Sequence, residues 1–147
     1  MRDKIFLDTN LLIYLYSESE TDKRDTVCRI FDSNYCVTSI QALNEACNVW
    51  LKKYGWDGAQ VCKHLDNIHA LCDEILTVNR STINIALSLK DRYGYSYYDC
   101  LILSSALEGN CNVIMTEDMN HGQIISDYLK ISNPFVNSQK NTPEGEK

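Results

Sequence analysis

The chain has 147 residues, 44% of them hydrophobic and 23% charged; this is the composition of one globular domain and excludes bulk disorder and fibrous folds. Twenty acidic side chains against 14 basic ones give a net charge of −6, which argues against broad nucleic-acid binding through a basic surface, though not against an enzyme that holds phosphates through metal ions. No apolar run approaches the ~20 residues of a membrane helix, and the start gives way to Asp8 before a signal-peptide core can form, so the expectation is a cytoplasmic protein with no membrane partner. Seven cysteines, at 28, 36, 47, 62, 72, 100 and 111, include no C-x-x-C pair. They are expected to act as small hydrophobes rather than as a disulfide framework or zinc site.

Residues 4–7 are a short apolar run, predicted to be a buried strand with Asp8 at its carboxyl end. A short helix follows over 11–16, and a longer one over 21–31 with Val27, Ile30 and Phe31 at helical spacing. Residues 35–37 read as a second strand, with Thr38 or Ser39 capping a helix over 40–54 that buries Leu43, Cys47, Trp50 and Leu51 on one stripe. A further helix is predicted over 56–71, and a third strand over 74–78. The helix over 80–92 has its period running through Ile83, Ala86, Leu87 and Lys90. The segment 96–107 is apolar almost all round and belongs in a core. Residues 112–115 are a fourth strand leading to Thr116, Glu117 and Asp118, and 128–131 a last, short one. Residues 137–147 are polar, contain Pro143 and Gly145, and read as a disordered tail behind a domain of 1–136. Short apolar strands alternating with helices predict an α/β fold with a parallel sheet between helical layers, and sites in such sheets gather at the carboxyl ends of strands.

Four acids stand out by position: Asp8 and Asp118 after strands, Glu45 off the apolar stripe of its helix, and Asp99 in the first turn of the apolar helix. Each has an ordinary explanation taken alone. Asp8 fits a helix cap, Ser96 and Asp99 fit a capping box, Asp118 a turn and Glu45 a solvated position. Together these explanations weaken. Carboxylates converging to ~5 Å at an effective dielectric of ~20 repel by roughly 3 kcal/mol per pair, and no Lys or Arg lies inside the four motifs. Either the acids are far apart or cations sit between them. Oxygen-rich ligation favours Mg²⁺ or Mn²⁺, and two such ions can clamp both oxygens of a phosphodiester displacement. His64 and His69 lie on a helix that carries none of the acids, and His121 takes at most a supporting role.

Leu7-Asp8-Thr9-Asn10, the helical Leu43-Asn44-Glu45-Ala46, Ser96-Tyr97-Tyr98-Asp99, and Thr116-Glu117-Asp118 with His121-Gly122 and Asn133-Pro134-Phe135 behind it resemble, in order and spacing, the motifs of PIN-domain ribonucleases. The compact size is most similar to the VapC toxins of type II toxin–antitoxin pairs. The resemblance implies a three-layer α/β/α fold with a short central parallel sheet and an endoribonuclease dependent on one or two Mg²⁺ or Mn²⁺ ions. Asp8, Glu45, Asp99 and Asp118 would be its catalytic and metal-binding acids, with Asp8 and Asp99 direct ligands and Asp118 completing the shell. Glu45 would hold a second ion or orient water. Thr9, Asn10 and Thr116 would support the acids or the scissile phosphate, and Glu117 stands outside the ligand set. The implied partners are an RNA substrate, an antitoxin covering the acidic pocket, and a second copy of the chain in a homodimer. Lys52, Lys53, Lys90 and Arg92 are candidate phosphate contacts, and Tyr93, Tyr95, Tyr97 and Tyr98 candidate stacking residues. Two other readings are a Mg²⁺-dependent phosphatase or phosphoryl-transfer protein, for which a D-x-D motif is wanted where Asn10 stands, and a non-catalytic binding module.

Overall fold

The apolar run after Asp3 forms β1 (Lys4–Leu7), an inner strand of a six-stranded sheet, in the computed structural model, which describes residues 3–136. The tail expected over 137–147 lies outside the described residues. After β1 come α1 (Thr9–Tyr14), α2 (Thr21–Ser33), β2 (Tyr35–Ser39), α3 (Ile40–Lys52), α4 (Gly58–Leu71), β3 (Glu74–Leu76), α5 (Arg80–Tyr93), α6 (Tyr97–Glu108), β4 (Val113–Met115), β5 (Ile124–Ile125) and β6 (Leu129–Ser132). The sheet order is β3-β2-β1-β4-β6-β5, with every pairing parallel except β5 with β6. Six helices flank it, giving the three-layer α/β/α architecture expected.

Burial explains the strand composition. Phe6, Leu7, Cys36, Val37 and Ile114 are all buried, as inner strands covered on both faces require. Each large apolar side chain so buried contributes roughly 1.5–3 kcal/mol. The chain leaves β1 toward β2 and β3 on one side and reaches β4 and β6 on the other. The strand order therefore reverses at β1, and the crevice at the carboxyl ends of β1 and β4 is the place where such sheets hold ligands. Leu7 pairs with Met115, and the Asp8 N–H donates to the Met115 carbonyl at 3.1 Å. The two strands thus end level.

Several predicted details move. The first helix begins two residues early, at Thr9, because Asp8 caps it. The fourth begins at Gly58, where Asp57 and Gln60 close a capping box that leaves Trp56 outside. The third strand stops at Leu76 because Asn79 caps the next helix. The two-residue β5 is too short to leave a periodic signal. Two buried stripes also need correction. Leu51 is 46% exposed on α3, where Ala42, Leu43, Ala46 and Trp50 face inward and Cys47 is half-buried. On α5 the inward residues are Thr82, Ala86 and Leu89, while Ile83 and Leu87 are exposed, Leu87 at 52%. Thr82 takes the buried position because its hydroxyl is satisfied there, by Asn79 and by the Glu108 carboxylate. The helix is rotated by one residue, about 100°, from the stripe that hydropathy suggests. Cys28 and Cys62 are exposed and do not serve as core hydrophobes.

Candidate active site

Asp8 is the most constrained of the four acids. It is 4% exposed. As the cap of α1 it accepts the Thr9 N–H on Oδ1 at 2.7 Å, and on Oδ2 it accepts the Thr116 hydroxyl at 2.8 Å. Thr116 follows β4 and is fully buried; its oxygen also accepts the Asp118 N–H at 3.1 Å. One hydroxyl therefore ties the first acid to the loop of the fourth. Thr9 turns the other way, donating to the Ala42 carbonyl at 3.2 Å. It fixes α1 against α3, the helix that carries Glu45.

Glu45 and Asp99 are half-buried and Asp118 is exposed. Gln41, one turn earlier on α3, donates to Glu45 Oε2 at 2.9 Å. Asp99 stands in the first turn of α6, whose cap Ser96 accepts the Asp99 N–H at 3.2 Å. Only this half of the capping box forms, and the Ser96 hydroxyl also acts on the Asp99 carboxylate. A carboxylate in a first turn is also favoured by the helix dipole. Asn10 donates to Asp118 Oδ2 at 2.9 Å, and its own Oδ1 is buried without a partner among the described residues.

The charges of the four acids act on one another. Burial pushes Asp8 up from 3.8 to about 6, against the pull of the Thr116 and Thr9 hydrogen bonds, and the charges of Asp99 and Glu45 raise it further. Glu45 is raised by burial and by Asp99 and Asp118, with the Gln41 amide opposing. Asp99 is raised by burial and by Asp118, with Ser96 opposing. The ion pairs among the described residues are Lys4–Glu74, Lys23–Glu117 and Arg24–Asp25, and none includes one of the four acids. Among the described residues, no group of three or more His, Cys, Asp or Glu side chains already stands at metal-holding spacing. The donor set is thus all oxygen, mutually repelling and without a protein cation, which is the chemistry that a hard divalent ion fits.

The sequence matches the profile of the PIN domain over residues 5–124. The chain belongs to the PIN domain family. Solved structures that resemble it include a toxin–antitoxin complex from Klebsiella pneumoniae, at 19% identity and a TM-score of 0.62 over 88% of this chain and 97% of that one. VapC20 of Mycobacterium tuberculosis, a sarcin–ricin loop cleaving toxin, matches at 16% identity and a TM-score of 0.62 over 75% and 86%. FitAcB from Neisseria gonorrhoeae matches at 17% identity and 0.63 over 89% and 98%. No curated protein matches the sequence.

Around the acids of this PIN domain, the remaining candidate residues divide into those already engaged and those free. Glu117 turns away from the pocket: its carboxylate accepts from the Tyr14 hydroxyl and from Lys23 Nζ, each at 2.6 Å. His121 Nδ1 accepts the Asn133 N–H at 2.9 Å, and Asn133 Oδ1 accepts the Phe135 N–H at 2.9 Å. The Asn-Pro-Phe ending therefore braces the loop behind Asp118, and Phe135 packs edge-on against Tyr14 at 5.4 Å. His64 is inside an aromatic cluster, 3.9 Å from the Tyr16 ring and 4.6 Å from Trp56. Tyr93 and Tyr95 are occupied: their hydroxyls accept the Ser126 and Asn120 N–H groups, and Tyr95 also donates to Gln123. Tyr98, at 60% exposed, remains open. Lys52, Lys53, Lys90 and Arg92 are all exposed; Lys53 shares a recess with Asn10, and Lys52 does not line it. Sequence reading passed over Gln41, Tyr14 and Lys23. Gln41 was visible in principle as the i−4 neighbour of Glu45, whereas Tyr14 and Lys23 reach Glu117 from 103 and 94 residues away and carry no local signal.

Proposed function

We propose that this PIN domain is a Mg²⁺- or Mn²⁺-dependent endoribonuclease and the toxin of a type II toxin–antitoxin pair. What supports the reading is a set of four carboxylates on separate elements whose charges act on one another, none of them in an ion pair among the described residues. Asp8, Glu45, Asp99 and Asp118 would hold one or two ions, with Asp8 and Asp99 as direct ligands. When bound, the ions supply Lewis-acid polarisation of the phosphate and lower the pKa of the attacking water.

The chain's own residues do the rest. Thr116 and the Thr9 N–H hold the Asp8 carboxylate in one orientation. Gln41 aims Glu45, leaving one of its oxygens for a water or an ion. Asn10 restrains Asp118 through its side-chain amide. The raised values of Asp8, Glu45 and Asp99 mean that protons compete with cations at the site, so activity falls with falling pH, and more added ion shifts that fall to lower pH.

An antitoxin partner is supported by the toxin–antitoxin complex among the structural relatives; a basic residue of that partner would meet uncompensated charge at the acids. A homodimer is supported by Ile83 and Leu87, exposed one turn apart on α5. The compartment proposed is the cytoplasm, where RNA and antitoxin meet; none of the described helices is long and apolar enough to cross a membrane. In the phosphatase alternative the position of Asn10 calls for an acid, and here its amide is a donor to Asp118.

The test is cleavage of total RNA by the purified chain in Mn²⁺. Cutting that EDTA and Asp99→Asn both abolish is the expected outcome. RNA left intact by the wild type, or cut equally well by Asp99→Asn, would remove the mechanism.

A further inference from the structure

Between α1 and α3, beside the acids, lies a recess of about 260 Å³ lined by Asn10, Ile13, Tyr14, Val49, Lys53 and Tyr54. It is smaller than the ~300–1,000 Å³ of sites for drug-sized ligands. We propose that it seats one base of the RNA strand, next to the phosphate held at the acids; this rests on the nuclease reading above.

Three features support a flat aromatic occupant. The recess has an apolar floor, Ile13 and Val49, and two tyrosine walls set in place before any ligand arrives. Tyr54 stands edge-on to Trp56 at 5.4 Å, and Trp56 stacks on the buried Trp50 at 5.6 Å. Tyr14 is held by Phe135 on its edge and by Glu117 at its hydroxyl. Rings held this way offer stacking area at little entropic cost.

The recess is also wired to the acids. Asn10 reaches Asp118 at 2.9 Å and Tyr14 reaches the adjacent Glu117 at 2.6 Å, so two of its walls hydrogen-bond to the loop of the fourth acid. Asn10 Oδ1 is buried without a partner among the described residues, and such atoms in native folds often hold an ordered water. Lys53 is exposed and outside every ion pair among the described residues. It is placed to meet the phosphate on the outer side of the base. An apolar peptide side chain would use the two rings but not Lys53, whose charge favours a phosphodiester strand.

The test is fluorescence anisotropy of a labelled single-stranded RNA of about eight nucleotides, with Ca²⁺ replacing Mn²⁺ to keep the strand whole. Tyr54→Ala is expected to weaken binding about tenfold and Tyr54→Phe to leave it unchanged, since stacking needs the ring. An abasic nucleotide walked along the strand should, at one position, cost as much as Tyr54→Ala and cancel its effect. Circular dichroism establishes that both variants fold. Equal weakening by Tyr54→Ala of the intact and every abasic strand would overturn the proposal. So would a Tyr54→Ala chain that keeps full RNA binding but releases its antitoxin, which assigns the recess to the antitoxin instead. Cleavage of the same RNA by wild type in Mn²⁺ is read separately. Its absence counts against the nuclease reading, while the anisotropy still decides the recess.

Discussion

Thr116 donates its hydroxyl to Asp8 Oδ2 at 2.8 Å and accepts the Asp118 N–H at 3.1 Å, so a single buried oxygen sets the orientation of the first acid and the position of the fourth. Thr116→Val keeps the shape and removes both bonds. Mn²⁺ affinity is expected to fall about 10- to 100-fold, the usual cost of losing a group that orients a ligand. Thermal stability should fall by about 1–3 kcal/mol, because a buried carboxylate loses its donor. Thr116→Ser should restore most of both. Calorimetric titration of Mn²⁺ checks the first effect and denaturant unfolding the second.

Asp8 makes stability depend on pH in an unusual direction. Its folded value, about 6, lies above the ordinary 3.8, so between these values the native state binds more protons than the unfolded state. Stability from this group is therefore lost as the pH rises from about 4 to about 6, to a total of about 3 kcal/mol. Glu45 and Asp99 shift in the same direction. In EDTA, Asp8→Asn is expected to be more stable than wild type at pH 7.5, with the advantage vanishing near pH 4. Mn²⁺ should reverse the order at pH 7.5 by binding the native wild type. Melting curves across pH, with and without the ion, read both effects. An Asp8→Asn chain less stable than wild type at pH 7.5 in EDTA would contradict the burial argument.

Glu117 is adjacent to Asp118 but faces Tyr14 and Lys23. Glu117→Ala is expected to cost about 1 kcal/mol of stability; the pair with Lys23 is partly exposed, at 28% for each side chain, and solvent screening limits its worth. The number of Mn²⁺ ions bound should not change. Isothermal titration showing one ion fewer would make Glu117 a ligand.

The outward pair on α5 yields a test of assembly. Leu87→Glu is expected to give a monomer under conditions where the wild type elutes as a dimer, read by light scattering, with the fold intact because Leu87 is 52% exposed. A wild type that is monomeric at micromolar concentration would remove the homodimer.

Much of this architecture was legible in the chain because its signals are local. Short apolar runs marked β1 and β4, caps such as Ser39 and Ser96 marked helix starts, and the all-round apolarity of 96–107 marked a central helix. Three of the four acids stand at element boundaries, Asp8 and Asp118 after strands and Asp99 in the first turn of α6, whereas Glu45 lies inside α3 and stood out only as a charge off its apolar stripe. Signals failed where a long-range contact decides. Thr82 is buried because Glu108 meets its hydroxyl, which hydropathy scores the wrong way. Tyr93 and Tyr95 stood as candidate stacking residues, yet their hydroxyls hold the loop around β5. Glu117 was set outside the ligand set by the resemblance alone, and the Tyr14 and Lys23 contacts that hold its carboxylate carry no local signal.

Calorimetric titration of Mn²⁺ into the metal-free chain at pH 7.5 tests most directly whether the four repelling carboxylates bind divalent ions together. One or two ions are expected to bind the wild type, with binding lost in both Asp8→Ala and Asp99→Ala. A wild type that binds no ion, or variants that bind as the wild type does, would contradict it.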